Sequence, residues 1–115
     1  MEISNKGLVE CEIIRHLSPI TSTIILKGLP LKGRAHKLGE NLVYIETGLT
    51  IGAEKQRSLF KRGEMAYLTT NGSLCIFVKD SGPISAMNPI GVVRSNLHLA
   101  ESAQRGDVMI LRCVN

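Results

Sequence analysis

Apolar and polar residues alternate with a period of two through residues 8–14, where Val9, Cys11 and Ile13 oppose Leu8, Glu10, Glu12 and Ile14. That period predicts a half-buried strand. Ser18-Pro19 then offers a capping hydroxyl followed by a proline whose fixed φ suits the first helical position, with Ile20, Ile24 and either Leu17 or Lys27 spaced along one face before Gly28. This predicts a short helix of about two to three turns, against which the β-branched pair Ile24-Ile25 competes. The period returns to two in residues 31–38 and 42–46, around a Gly39-Glu40-Asn41 turn, with Val43 and Ile45 on one face and Tyr44 and Glu46 on the other. Residues 47–63, punctuated by Gly48, Gly52 and Gly63, read as a short strand at 49–51 followed by a surface connection.

The sharpest local signal is Thr70-Asn71-Gly72-Ser73 between the apolar runs 65–68 and 74–78. Asn-Gly at the centre of a two-residue loop supplies the two positive φ values of a type I′ turn, so a hairpin is expected. Residues 79–83 form a loop, and a strand follows at 89–94 around Gly91. A helix over 97–104 is capped by Asn96 and ended by Gly106, and a last strand covers 108–114. Seven or eight short strands with two short helices favour a mainly β chain closed, or nearly closed, into an antiparallel barrel, which removes exposed sheet edges.

Length and composition narrow the class. The 115 residues, 43% hydrophobic and 21% charged, suit one globular domain over residues 1–115 with a core that needs no disulfide or metal. Cys11, Cys75 and Cys113 are odd in number, far apart and embedded in apolar runs, which argues against a disulfide framework and for a reducing cytoplasm. The amino-terminal residues lack the apolar centre of a signal peptide, and no run is long enough to span a membrane. The net charge of +4 is concentrated in residues 27–62, where eight Lys or Arg face three Glu. This basic third could attract an anion, but a solvated surface is the better account because charge runs usually only keep a surface wet, and two Tyr, two Phe and no Trp leave little for base stacking. A nucleic-acid partner is therefore not expected.

Catalytic constellations are sparse. His16, His36 and His98 stand apart, with no cysteine or second histidine at ligand spacing, so no metal and no cofactor is expected. Cys75 alternates inside an apolar strand, which fits a small core residue better than a nucleophile. No glycine-rich phosphate loop and no carboxylate pair is evident.

Read in order, the first strand and Ser18-Pro19-Ile20-Thr21, then Thr70-Asn71-Gly72-Ser73, then Pro89-Ile90-Gly91-Val92-Val93 through Leu97-His98-Leu99-Ala100-Glu101, resemble a minimal cyclophilin. Leu29-Pro30, residues 35–44, Gly63-Glu64-Met65-Ala66-Tyr67 and Cys75-Ile76-Phe77 are similar to segments of a small bacterial and archaeal cyclophilin-like family. Leu38 stands where that family has tryptophan, and Asn41 and Leu42 replace its acidic and isoleucine positions. The resemblance spans residues 7–113 and implies a cyclophilin-like barrel without implying an activity.

Prolyl isomerisation must lower a barrier of about 18–20 kcal/mol. The resemblance implies an arginine in a Phe-His-Arg segment that donates to the prolyl nitrogen beside an apolar pocket. This chain has Val43-Tyr44-Ile45-Glu46-Thr47-Gly48-Leu49 in that stretch, and Leu74-Cys75-Ile76 where the family has Gln-Phe-Phe. The expected function is accordingly binding of a small molecule or peptide in a groove on the outer face, without isomerase activity. Arg34, Tyr44, Glu46, Tyr67, Met87 and Asn88 are the groove candidates. The alternatives are an altered isomerase in which Arg34 or Arg57 restores the missing donor, or a barrel subunit of a larger assembly.

Overall fold

The computed structural model describes residues 1–4 and 6–112. Strands β1 (Glu2–Ile3), β2 (Gly7–Leu8) and β3 (Glu10–Ile13) lead through a 3-10 turn at Arg15–Leu17 into helix α1 (Pro19–Lys27). Strands β4 (Leu31–Arg34), β5 (His36–Leu38) and β6 (Leu42–Glu46) follow. After a long connection come β7 (Glu64–Leu68), β8 (Ser73–Phe77), β9 (Asn88–Ser95), helix α2 (Leu97–Glu101) and β10 (Val108–Leu111). The sequence-expected continuation of the last strand to residue 114 lies beyond the described residues.

The strands pair antiparallel in two sheets, one ordered β2-β1-β10-β4 and the other β3-β9-β7-β8-β6-β5. Among the described residues no ladder closes them into the expected barrel of seven to eight strands. The cause lies in two runs that read as single strands, 8–14 and 31–38. Each breaks at a buried residue, Val9 or Ala35, so that one half pairs in each sheet. Val9 exchanges backbone hydrogen bonds with Met1, and Ala35 N–H donates to Asp107 O at 2.7 Å. The chain thus crosses between sheets at two seams.

The main core fills the space between the sheets. Val43, Ile45, Met65, Tyr67, Leu74 and Ile76 point into it from the larger sheet and meet Ile3, Ile25, Met109 and Leu111. Fully burying one such aliphatic side chain stabilises by roughly 1.5–3 kcal/mol. β4 can lie close on β6 because Gly33 has no side chain, and a Cβ there would come 3.1 Å from the Ile45 Cβ. At Gly91 the approach is tighter still, since a Cβ would fall 2.1 Å from Glu12 O where β3 pairs with β9.

The hairpin predicted at Asn71-Gly72 exists but has a different turn. Leu68 pairs with Ser73, which leaves a four-residue connection, and within it only Gly72 has a positive φ, +67°. The type I′ expectation fails because the connection packs on a neighbour. Tyr67 Oη donates to Leu49 O at 2.6 Å, a Cβ on Gly72 would strike that same oxygen at 2.7 Å, and Gly72 O accepts from Thr47 N–H and Oγ1. Residues 49–51 form no strand and serve as this anchor.

Helix α1 starts at Pro19 as expected, but Ser18 does not cap it. The carboxylate of Glu54, 33 or 34 residues away, does so by accepting from Ile20 N–H at 3.0 Å and from Thr21 N–H and Oγ1 at 2.8 Å. A carboxylate at this end also opposes the helix dipole. Helix α2 is shorter than the sequence suggests and ends at Glu101. Its flanking Asn96 adopts φ +63° and donates through its side chain to Leu8 O instead of capping. No helix among the described residues is long and apolar enough to cross a membrane.

Candidate functional site

The larger sheet is apolar on both faces. Its second face, turned away from the main core, carries Leu42, Ala66, Cys75 and Phe77, with Tyr44 and Leu68 half-buried beside them. Period-two alternation makes this unavoidable, because β8 is buried along its whole length and each alternate residue must face one side or the other. Two connections, 47–63 and 78–87, cover the exposed apolar surface. They contribute Phe60, Met87 and Ile84, and the Phe60 and Phe77 rings stack 4.6 Å apart and within 5° of parallel.

Those connections are laced together by their own backbones. Arg57 and Met87 exchange two hydrogen bonds of 2.9 Å, Phe60 and Ser81 exchange two of 2.9 and 2.8 Å, and Ile84 N–H donates to Ser58 O at 3.0 Å. Gly82 permits the close approach, since a Cβ at its φ of +138° would fall 2.4 Å from Leu59 Cδ2 and 2.6 Å from Ser58 O. The result is an irregular two-stranded ribbon held on an apolar floor.

An open depression of about 770 Å³ lies against this ribbon, bordered by residues 57–61, Glu64 and residues 80–82. Its size is in the range of small-molecule sites. The Arg57 guanidinium stands 4.9 Å from the centre of the Phe60 ring, and its Nη2 donates to Glu64 Oε2 at 2.9 Å. The other Glu64 oxygen accepts from Lys61 N–H at 2.7 Å, so the carboxylate bridges the arginine to the turn preceding β7. Asp80 Oδ1 accepts from Arg62 N–H at 2.8 Å. The Arg57 side chain keeps 41% of its surface exposed, enough to reach a ligand while its orientation is held by Phe60 and Glu64.

The sequence-predicted candidates divide. Tyr44 and Met87 belong to the second face, with Tyr44 stacked on His36 at 5.1 Å and Met87 buried under the ribbon. Glu46 is exposed at the end of β6. Arg34 lies in the smaller sheet, where it donates to Gly106 O at 3.1 Å. Tyr67 is wholly buried in the main core, and burial pushes its hydroxyl above its ordinary pKa. Asn88 is also wholly buried. Its Oδ1 accepts from Glu54 N–H, and its Nδ2 donates to Thr21 Oγ1 and Gly52 O, all at 2.9 Å. It ties α1 to the first connection and does not border the depression.

Phe60 and Asp80, in irregular stretches, and Glu64, at the first position of β7, escaped sequence reading because none belongs to a repeating pattern. Arg57 did not, having been singled out as a donor that could reach a groove. Burial raises the Cys75 thiol to about 12, so it remains protonated and inert as a nucleophile. No group of acidic, histidine and cysteine side chains suited to a metal ion occurs among the described residues.

The fold is that of a mainly β cyclophilin-like protein. The family model described as cyclophilin-like matches residues 2–112, and the chain belongs to that family. The solution structure of a hypothetical protein from Archaeoglobus fulgidus resembles it with a TM-score of 0.76 and 24% identity, over 97% of this chain and 91% of that one. At that identity the likeness shows the fold alone. No curated protein matches the chain.

Proposed function

We propose that this protein binds a small molecule or a peptide segment in the depression beside Arg57, without acting as a prolyl isomerase. One observation carries the reading: a guanidinium held over Phe60 and against Glu64 at the mouth of an open hollow on the sheet's second face. An oriented polar donor in a concave hollow is one of the groups by which ligand sites fix orientation. Against turnover stands the loss of the Phe-His-Arg segment, where Tyr44 and Glu46 now lie. Unpaired thiols at Cys11 and Cys75 are consistent with action in a reducing cytoplasm.

A screen of metabolites and proline-containing peptides by thermal shift tests the binding reading, because a ligand that binds the native state at about a hundred times its Kd stabilises it by about 2.7 kcal/mol. The expected result is a shift that disappears in Arg57→Ala. If hits shift the variant equally, the reading is refuted. The isomerase alternative draws on the same arginine, since its guanidinium adjoins the cluster containing Phe60, Phe77 and Met87. A protease-coupled proline-peptide assay separates the two. Background rates are expected, and turnover lost in Arg57→Ala would install the alternative.

A further inference from the structure

Strand β3 has one edge that is only partly used. Ile14 N–H donates to Ile90 O at 2.9 Å, and Glu12 stands opposite Val92, so the even-numbered residues of this strand direct their backbone groups at β9. The odd-numbered residues point the other way. On that edge Val9 exchanges two hydrogen bonds with Met1, at 2.6 and 2.5 Å. At the next odd positions, Cys11 and Ile13, no backbone hydrogen bond on that edge is made among the described residues. Beyond the Met1–Val9 pair, no described residue continues the line of β1.

Beside these groups lies a cleft of about 540 Å³ whose walls include Met1, Leu26, Leu29 and Leu111, bordered also by Glu10, Glu12 and by Arg112, whose guanidinium is paired with Glu2 at 3.5 Å. It sits at the Val9 seam, apart from the Arg57 depression and sharing no lining residue with it. An apolar molecule alone would fill the cleft and leave the strand's donors and acceptors unmatched. A second strand matches both, because its backbone repeats donors and acceptors every two residues, about 6.8 Å, as β3 does.

We propose that this edge accepts an extended peptide, antiparallel to β3 and in line with β1, with apolar side chains at alternate positions in the cleft and basic ones between them. Register sets the alternation. Peptide residues opposite Cys11 and Ile13 share the inward face of those half-buried residues, whereas the residue between them shares the outer face with Glu10 and Glu12. Arg94 already holds Glu12 at 2.6 Å, but Glu10 is exposed with no ion pair among the described residues, which favours a cation across from it.

The test is a titration of the isotopically labelled full chain with the capped peptide acetyl-Lys-Val-Lys-Val-Lys-amide, followed by NMR. Exchange protection of the Cys11 and Ile13 amides is expected to rise by about tenfold or more at saturation. N-methylation of both valines removes the two donors facing β3 and is expected to weaken binding by about tenfold, while N-methylation of the central lysine leaves it within about twofold. Glu10→Lys, at an exposed position, is expected to weaken the lysine probe. Three results would overturn the proposal. The two amides could already be protected in the free protein, with residues 113–115 as the occupant if truncation after Arg112 frees them. The valine-methylated peptide could bind equally well, which would mean the cleft is filled without strand pairing. Shifts could be confined to residues 57–64, which would leave only the Arg57 site in use.

Discussion

Replacing Asn88 by alanine removes a junction on which three segments meet. The side chain is wholly buried, and its three hydrogen bonds of 2.9 Å reach α1 at Thr21 and the first connection at Gly52 and Glu54. At about 1 kcal/mol net for each bond, the loss is about 3 kcal/mol. The abandoned partners limit any further cost, since Thr21 Oγ1 keeps its bond to Glu54, and the Gly52 and Glu54 backbone groups lie near enough to the surface to find water. For a chain of this length about 1 kcal/mol corresponds to about 4 °C in Tm, so a fall of about 12 °C is expected. Thermal unfolding by circular dichroism, with a urea titration in parallel, reads it directly. A fall below about 3 °C would refute the reasoning and show that the network contributes little beyond solvation.

Glu54→Gln tests the remote cap. For this carboxylate desolvation pushes the pKa up, but the hydrogen bonds from Thr21 and Ile20 outweigh it and hold the folded value below the ordinary 4.5. The stabilisation is therefore present above that value and lost as pH falls through the lower folded one. The wild type should lose stability over that acid range more steeply than Glu54→Gln in urea titrations. Phe60→Ala removes a ring stacked on Phe77 and the seat of the Arg57 guanidinium, and should cost about 3 kcal/mol, read by urea unfolding, while abolishing any ligand-induced thermal shift. Cys75, raised to about 12 by burial, should resist alkylation by iodoacetamide at pH 8 until the protein is unfolded, whereas rapid native-state labelling assigned to Cys75 by mass spectrometry would contradict its placement.

What could be read without coordinates was what repeats. Val43 and Ile45 against Tyr44 and Glu46, or Val9 and Cys11 against Glu10, declare their faces through period two, and Ser18-Pro19 declares a helix start through proline geometry. What could not be read depended on residues distant in the chain. The cap of α1 comes from Glu54, the shape of the 69–72 connection from Leu49 and Thr47, and the division into two sheets from bends at Val9 and Ala35. Tyr67 and Asn88 illustrate the limit in the candidate site. Both are polar and sit on strands beside a presumed groove, yet each has its hydrogen bonds answered inside the protein.

The two seams carry a mechanical consequence. Because one continuous run of backbone serves both sheets at Val9 and another does so at Ala35, neither sheet can peel away without pulling apart a ladder in the other. Slow hydrogen exchange should therefore be shared by β10 and β8 although they lie in different sheets. The ribbon of residues 57–60 and 81–87 lies outside both crossings and rests on the sheet through side chains. Its seat is the packing of Phe60, Met87 and Ile84 in the second-face cluster, so neither sheet's ladder depends on it and the frame would outlast its loss.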